Sequence, residues 1–235
     1  MPNRLYKSLI PGSCGWNEVL DPQGEPRESY RAILGKLEAL SRNELRRLDD
    51  GMEATLREMG VTFSIGANRA WGAKAWECDL LPQIFSAGEW AALEAGAIQR
   101  MEAFELFLRD IHGERRILRE GVLPVQVVLG SPYFQRPACS LPLPSGSFLH
   151  LSGLAVVRTG DGVLRVRHHY FANASGVSYM MQNRRALARV MTPFFEGHSI
   201  RAIVDAPTDI LESLRSQAQR NEPVVVLLSP GPASA

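Results

Sequence analysis

Residues 172–185 read Ala172-Asn-Ala-Ser-Gly-Val-Ser-Tyr-Met-Met-Gln-Asn-Arg-Arg185. A strand-like run from Val163 to Tyr170 stops just before this stretch, small residues turn the chain, and a helical pattern runs from Val177 to Val190. A helix that opens at a strand end leaves its first backbone N–H groups free, and with the helix dipole they make an anion site. Ser175 or Gly176 stands at that mouth, with Asn183 and Arg184 a little over two turns along. That spacing returns a side chain to within roughly 80° of its starting direction, about 12 Å further along the axis. Arg184 can therefore flank the far end of an elongated ligand, or it can form a structural ion pair. The mouth is open to two readings as well, an anion-binding loop or a tight turn with a helix cap.

Working outward, Thr159-Gly-Asp-Gly162 is a hairpin turn joining Leu154–Arg158 to the Val163–Tyr170 run. His168 and His169 are neighbours on that second strand, so they point to opposite faces and do not readily ligate one metal. One is expected to face solvent and the other to line a cleft. Val125 to Leu129, Phe148 to Leu151 and Val224 to Leu228 are further strand candidates, the last a buried terminal strand. Prolines 132, 137, 142 and 144 keep the stretch between irregular, and a helix is expected near Asp209 to Gln219.

The amino-terminal part reads differently. An irregular arm rich in Pro, Gly and Asn ends in the turn chemistry of Leu20-Asp-Pro-Gln-Gly-Glu-Pro26. Tyr30, Ile33, Leu34, Leu37 and Leu40 then share a helical face. Ser41 and Glu44 have capping-box spacing and open a second helix, which Gly51 weakens and Gly60 stops. Val61 to Ile65 reads as a strand, and Trp71 and Trp76 lie in or beside the loop that follows. Pro82 keeps Cys78 to Phe85 extended. Ser86 and Glu89 form another capping box ahead of a long helix with the apolar stripe Trp90, Leu93, Ala97, Met101, Phe104, Leu108 and Ile111. That stripe is expected to face the core, and Glu105 and Arg109 to pair on the wet face. The class is α+β: an irregular arm and helical region over residues 1–121, then a sheet-rich portion over 122–235 with a mixed sheet, one continuous domain with the first.

Composition narrows the function classes. At 45% hydrophobic and 22% charged, the chain is an ordinary globular one. A formal net charge of +1 argues against binding nucleic acid or anionic lipid by bulk charge. Lys7, Lys36 and Lys74 are the only lysines among 26 basic residues. The arginine bias reflects either a GC-rich genome or bidentate recognition of carboxylate and phosphate, and few lysines remain to hold ATP. Cys14, Cys78 and Cys139 are far apart and odd in number, which fits a reducing cytoplasm and neither a disulfide framework nor a structural zinc site. No membrane span, Walker loop, dinucleotide fingerprint or nucleophile elbow is present.

The Ser175-Gly-Val-Ser-Tyr-Met-Met-Gln-Asn-Arg184 segment resembles the P-S-G-V-S-Y-x-L-E-N-R signature of the circularly permuted type 2 ATP-grasp proteins. Asn17-Glu-Val-Leu-Asp-Pro-Gln-Gly-Glu-Pro-Arg27 is similar to that family's opening Y-D-E-M-x-D-x-x-G-x-x-R, and Gly60-Val-Thr-Phe63 and Ala87-Gly-Glu-Trp90 match its G-V-T-F and A-x-E-W. Arg109-Asp-Ile-His-Gly-Glu-Arg-Arg-Ile-Leu-Arg-Glu-Gly121 resembles D-I-Y-G-x-Q-R-I-L-R-E-G, and Ser229-Pro-Gly-Pro232 resembles its T-P-G-P. The likeness runs through nearly the whole chain, in order.

The resemblance implies a glutathionylspermidine-synthase-like, peptide-bond-forming ligase: ATP and Mg²⁺ activate a carboxylate and an amine captures it. It implies a partial permuted ATP-grasp fold, with the nucleotide-gripping half, or a helical partner domain, supplied beyond Ala235. Ser175, Gly176, Asn183 and Arg184 fall on the nucleotide- or substrate-binding signature. The family's E-D-N metal positions correspond to His168, His169 and Tyr170, and its loop Arg and Pro to Ala172 and Ala174. Imidazole and phenol do not suit Mg²⁺. The expectation is an amino-terminal portion inactive alone, without a metal site of its own; the alternative is a non-catalytic binding or interaction module.

Overall fold

A computed structural model describes residues 15–63, 74–140, 142–143, 146–172 and 174–228. The first elements are α1 (Glu28–Glu38) and α2 (Arg42–Glu58), followed by the short antiparallel pair β1 (Thr62–Phe63) and β2 (Lys74–Ala75). Ile65 and Trp71, and with them part of the expected strand and loop, lie outside the described residues. The capping box of α2 forms in full, with the Ser41 hydroxyl accepting from the Glu44 N–H and the Glu44 carboxylate accepting from the Ser41 N–H. Gly60 at φ 70° ends the helix as a Schellman turn, the Val61 N–H reaching back to the Leu56 carbonyl at 2.9 Å.

The next helix, α3 (Ala87–His112), also carries a complete capping box, from Ser86 and Glu89. At 26 residues it is about 39 Å long, more than any single neighbour can cover. Its apolar stripe is accordingly shared out rather than sunk into one core. Ile111 alone is fully buried, and Trp90 keeps 40% of its surface exposed. The amino-terminal half of α3 meets a hairpin, and its carboxy-terminal half meets two short helices, α4 (Arg116–Arg119) and α5 (Val125–Leu129).

The expected strand at Val125–Leu129 is thus a single helical turn. Pro124 precedes it and Gly130 follows, and one turn suffices to seat Val128 against Ile111 and Leu118. Phe148–Leu151 is likewise irregular rather than a strand, because its backbone N–H groups are taken by a side chain. The Phe148 and Leu149 amides donate to the Glu105 carboxylate at 3.0 and 3.1 Å, and the Ser147 hydroxyl does so at 3.1 Å. Glu105 does pair with Arg109, at 3.2 Å, with Arg109 56% exposed on the solvent side and the Glu105 side chain, turned to the 147–149 segment, only 17% exposed.

β3 (Gly153–Arg158) and β4 (Leu164–Tyr170) form the expected antiparallel hairpin. Its turn is fixed by Gly162 at φ 81° and by Asp161, whose carboxylate accepts from the Thr159 hydroxyl and the Val163 N–H. The mixed sheet does not form: among the described residues the sheets are two antiparallel pairs. Val224–Leu228 is not a buried strand either. It is irregular, with four of its five side chains between 72% and 91% exposed. The class remains α+β.

The closing elements are α6 (Val177–Val190), α7 (Thr192–Phe195) and α8 (Ala206–Arg215). The main core lies between α2 and α6, where Leu37, Met52, Leu56, Val61, Ala186, Leu187 and Met191 are buried together. Tyr30, Leu34 and Leu20 form a second cluster, and the buried Tyr30 hydroxyl accepts from the Ile84 N–H.

Candidate functional site

The hairpin sets the site through an irregularity. Ala155 lies opposite His168 while its neighbour Val156 lies opposite Val166, so Arg167 is the extra residue of a β-bulge. A bulge reverses the alternation of faces. Leu164 and Val166 are half-buried before it, and His169 and Phe171 after it. Phe104 of α3 meets the rings of both His169 and Phe171 edge-on, at 5.0 and 4.8 Å. His168 is exposed, against Tyr170, so the two histidines do take opposite faces.

His169 Nε2 lies 3.5 Å from an Arg100 guanidinium nitrogen. Arginine only donates, so Nε2 must be the bare nitrogen and Nδ1 carries the proton. Nδ1 is buried without a partner. Burial, together with the Arg100 and His168 charges, pushes the imidazole below its ordinary value, so it is neutral at pH 7. An exposed imidazole, an imidazole turned to a guanidinium and a phenol on the far face do not make a Mg²⁺ donor set.

Ser175 and Gly176 are exposed at the mouth of α6, where the expected helix start is observed. Gly176 sits at φ 101°, a conformation that favours glycine, with open space around its missing Cβ. No side chain caps the helix, and the first returning bond runs from the Met180 N–H to the Gly176 carbonyl. Two turns along, the half-buried Asn183 has its side-chain oxygen buried without a partner. Arg184 donates to the Arg201 carbonyl at 3.2 Å, and Arg201 in turn pairs with Glu94 at 3.1 Å. Ser175 and Gly176 are thus together at the mouth, whereas the Arg184 guanidinium ties α6 to residue 201.

Residues of the family-like segments 17–27 and 109–121 hold the local backbone. Asn17 accepts from the Val19 and Leu20 N–H groups, Asp21 from those of Gln23 and Glu25, and Arg27 donates to the Asn17 carbonyl. Asp110 receives the Arg116 and Ile117 N–H groups and so caps α4. No spacing in the sequence singles out Arg158. Its side chain is only 7% exposed; its Nε–H is shared between the two Glu18 carboxylate oxygens at 2.8 and 2.9 Å, and its terminal nitrogen donates to Glu89 at 2.6 Å. The available signal was Asn17-Glu-Val-Leu-Asp-Pro-Gln-Gly24, where an Asx-turn pattern holds a lone glutamate.

Comparison with known proteins gives the same frame. The model of the family "Circularly permuted ATP-grasp type 2" matches residues 82–235. An uncharacterized protein of Mycobacterium leprae is 36% identical across 95% of this chain, which covers 39% of that protein. One from Synechocystis is 30% identical across 96% of this chain and 47% of its own length. The Frankia alni protein named "Putative glutamate–cysteine ligase 2-3" is 31% identical across 94% of this chain and 26% of its own length. The chain therefore spans less than half the length of these relatives. Matched over most of its length by that model, with its motifs in order along the fold, the chain belongs to the circularly permuted ATP-grasp type 2 family.

Proposed function

We propose that residues 1–235 are the amino-terminal portion of an ATP-dependent carboxylate–amine ligase and do not catalyse the reaction alone. The observation that carries this reading is the donor set at 168–170, set against membership of a ligase-like family. ATP, with Mg²⁺ balancing its charge, would supply from elsewhere in the assembled protein the phosphoryl group that makes the carboxylate electrophilic. The residues here hold and orient. The uncapped α6 N–H groups behind Ser175 and Gly176 would take a carboxylate or phosphate, and Asn183 offers a buried acceptor two turns along. The partner is polypeptide corresponding to the rest of the relatives' length, and the exposed Val224–Leu228 segment is where it would pair. The compartment is a reducing cytoplasm, in keeping with free Cys78 and Cys139. No helix among the described residues is long and apolar enough to cross a membrane.

A second reading, a non-catalytic binding module, draws on the same uncapped mouth. Calorimetric titration with ATP and MgCl₂ decides first. The expected result is no magnesium-dependent binding; an affinity near 1 μM, about 8 kcal/mol, would overturn the inactivity. Gly176→Val and Arg184→Ala then distinguish the two residue pairs. Gly176→Val should weaken phosphate binding at the mouth. If Arg184→Ala only lowers the melting temperature, Arg184 is structural.

A further inference from the structure

A groove of about 590 Å³ runs between the amino-terminal half of α3 and the hairpin, and its lining residues do not include Ser175 or Gly176. Glu89, Leu93, Gly96 and Arg100 line one wall, and Leu164 and Val166 are among the residues of the other. We propose that this groove binds an extended, mainly apolar peptide segment whose terminal carboxylate sits on Arg100.

Charge fixes the polarity of the ligand. Arg158 faces two carboxylates, Glu18 and Glu89, so that end of the groove is net negative and repels an anion, and Arg165 is neutralised by Asp161 at 3.0 Å. Among the described residues Arg100 forms no ion pair with a carboxylate, and its neighbour His169 is neutral at pH 7. One uncompensated cation at one end of an apolar trough selects a single anionic group with an apolar body. A polyphosphate would need several cations.

Geometry selects a peptide. From Glu89 to Arg100 the helix rises about 16 Å, the length of about five extended residues. Among the described residues β4 pairs only with β3, so its other edge still has backbone groups to offer an added strand. Gly96 gives the groove its depth. A glycine in the middle of a helix costs stability, yet a Cβ there would meet nothing within 4 Å, so the space above it is open.

The probe is the peptide Thr-Val-Leu-Val-Ala, labelled with a dye at its amino terminus and ending in a free carboxylate, titrated with the whole chain and followed by anisotropy. Saturable binding with a Kd below about 1 mM is expected. Arg100→Gln should weaken it about tenfold, carboxy-terminal amidation of the peptide should do the same, and the two changes together should cost no more than either. Gly96→Leu should abolish binding without lowering the melting temperature, because leucine is the better helix former and fills only the groove. No binding at millimolar protein, or equal binding of the amidated peptide, overturns the proposal. So does displacement by decanoate with the same sensitivity to Arg100→Gln, which would show that the site reads an acyl chain and not a backbone.

Discussion

The two ends of the β3–β4 hairpin are built on opposite rules. At the turn end the charged groups are saturated. Arg158 holds Glu18, Glu89 and the Gly162 carbonyl, while Glu89 uses one oxygen for Arg158 and the other for Ser86. At the open end His169 Nδ1 is buried without a partner and α6 begins uncapped, with Asn183 Oδ1 likewise buried without a partner two turns along that helix. The turn end has one exception, the Trp16 indole N–H, whose ring is covered by Arg27 at 3.6 Å. Saturated polar groups hold a fold together; unsatisfied ones cost stability and persist where something else requires them. Motif density does not make this distinction, because Glu18 and Glu89 at the turn end and Ser175 and Gly176 at the open end all fall in segments that resemble the family.

The strongest way to break the comparison is to empty the saturated end. Arg158→Ala would leave two carboxylates facing each other across a largely dry space. Both keep some contact with water, at 29% and 36% exposure, which places the loss near the lower end for a broken buried pair, about 3 kcal/mol. Gly162→Ala should be comparably damaging by another route, since its Cβ would lie 2.3 Å from a Trp16 ring carbon and φ is already +81°. Chemical denaturation of both variants provides the measurement. A loss below about 1 kcal/mol for Arg158→Ala would mean the triad is surface decoration.

Arg158 also shows where the sequence stops being legible. Capping boxes at Ser41 and Ser86, the Thr159–Gly162 turn and the span of α6 depend on residues a few positions apart, and the structure reproduces them. Arg158 and Glu18 are 140 positions apart, and only the fold brings them together. The bulge at Arg167 was invisible for a related reason, since an extra residue in a strand leaves no local composition signal. Val125–Leu129 misled through β-branched content, which short-range packing against Ile111 overrode. At the candidate site, the Ser175–Gly176 mouth was readable because it is local. The Arg100–His169 contact was not, as it joins a helix to a strand.

A weaker test uses Glu105, saturated like Arg158 but closer to solvent. Burial opposes its ionisation, yet the Phe148 N–H, Arg109, the Leu149 N–H and Ser147 outweigh it and hold the carboxyl below its ordinary 4.5. A depressed carboxylate contributes stability that is present above the unfolded value and is lost as pH falls through the folded one. Stability should therefore drop as pH falls below about 4.5, and Glu105→Gln should flatten that slope while costing about 1–2 kcal/mol at pH 7. Amide exchange at Phe148 and Leu149 should rise first. An unchanged slope would show that the 147–149 segment is held by something other than this carboxylate.

The smallest expected effect sharpens the claim that α6 is held along its side and left open at its mouth. Gly51 lies inside α2, and a Cβ there would meet only Val190 Cγ1, at an ordinary contact distance of 3.8 Å. Val190 packs on the shared α2–α6 core. Glycine inside a helix is the costliest ordinary residue, because the unfolded chain loses most freedom there. Gly51→Ala should therefore stabilise the chain by about 0.5–1 kcal/mol, raising the melting temperature by about 2 °C. The gain comes from the α2 backbone and leaves the α6 mouth untouched, so phosphate affinity at Ser175 and Gly176 should not move with it. If affinity rises along with the melting temperature, the mouth is ordered through the α2–α6 packing, and the open end of the hairpin is not independent of the core.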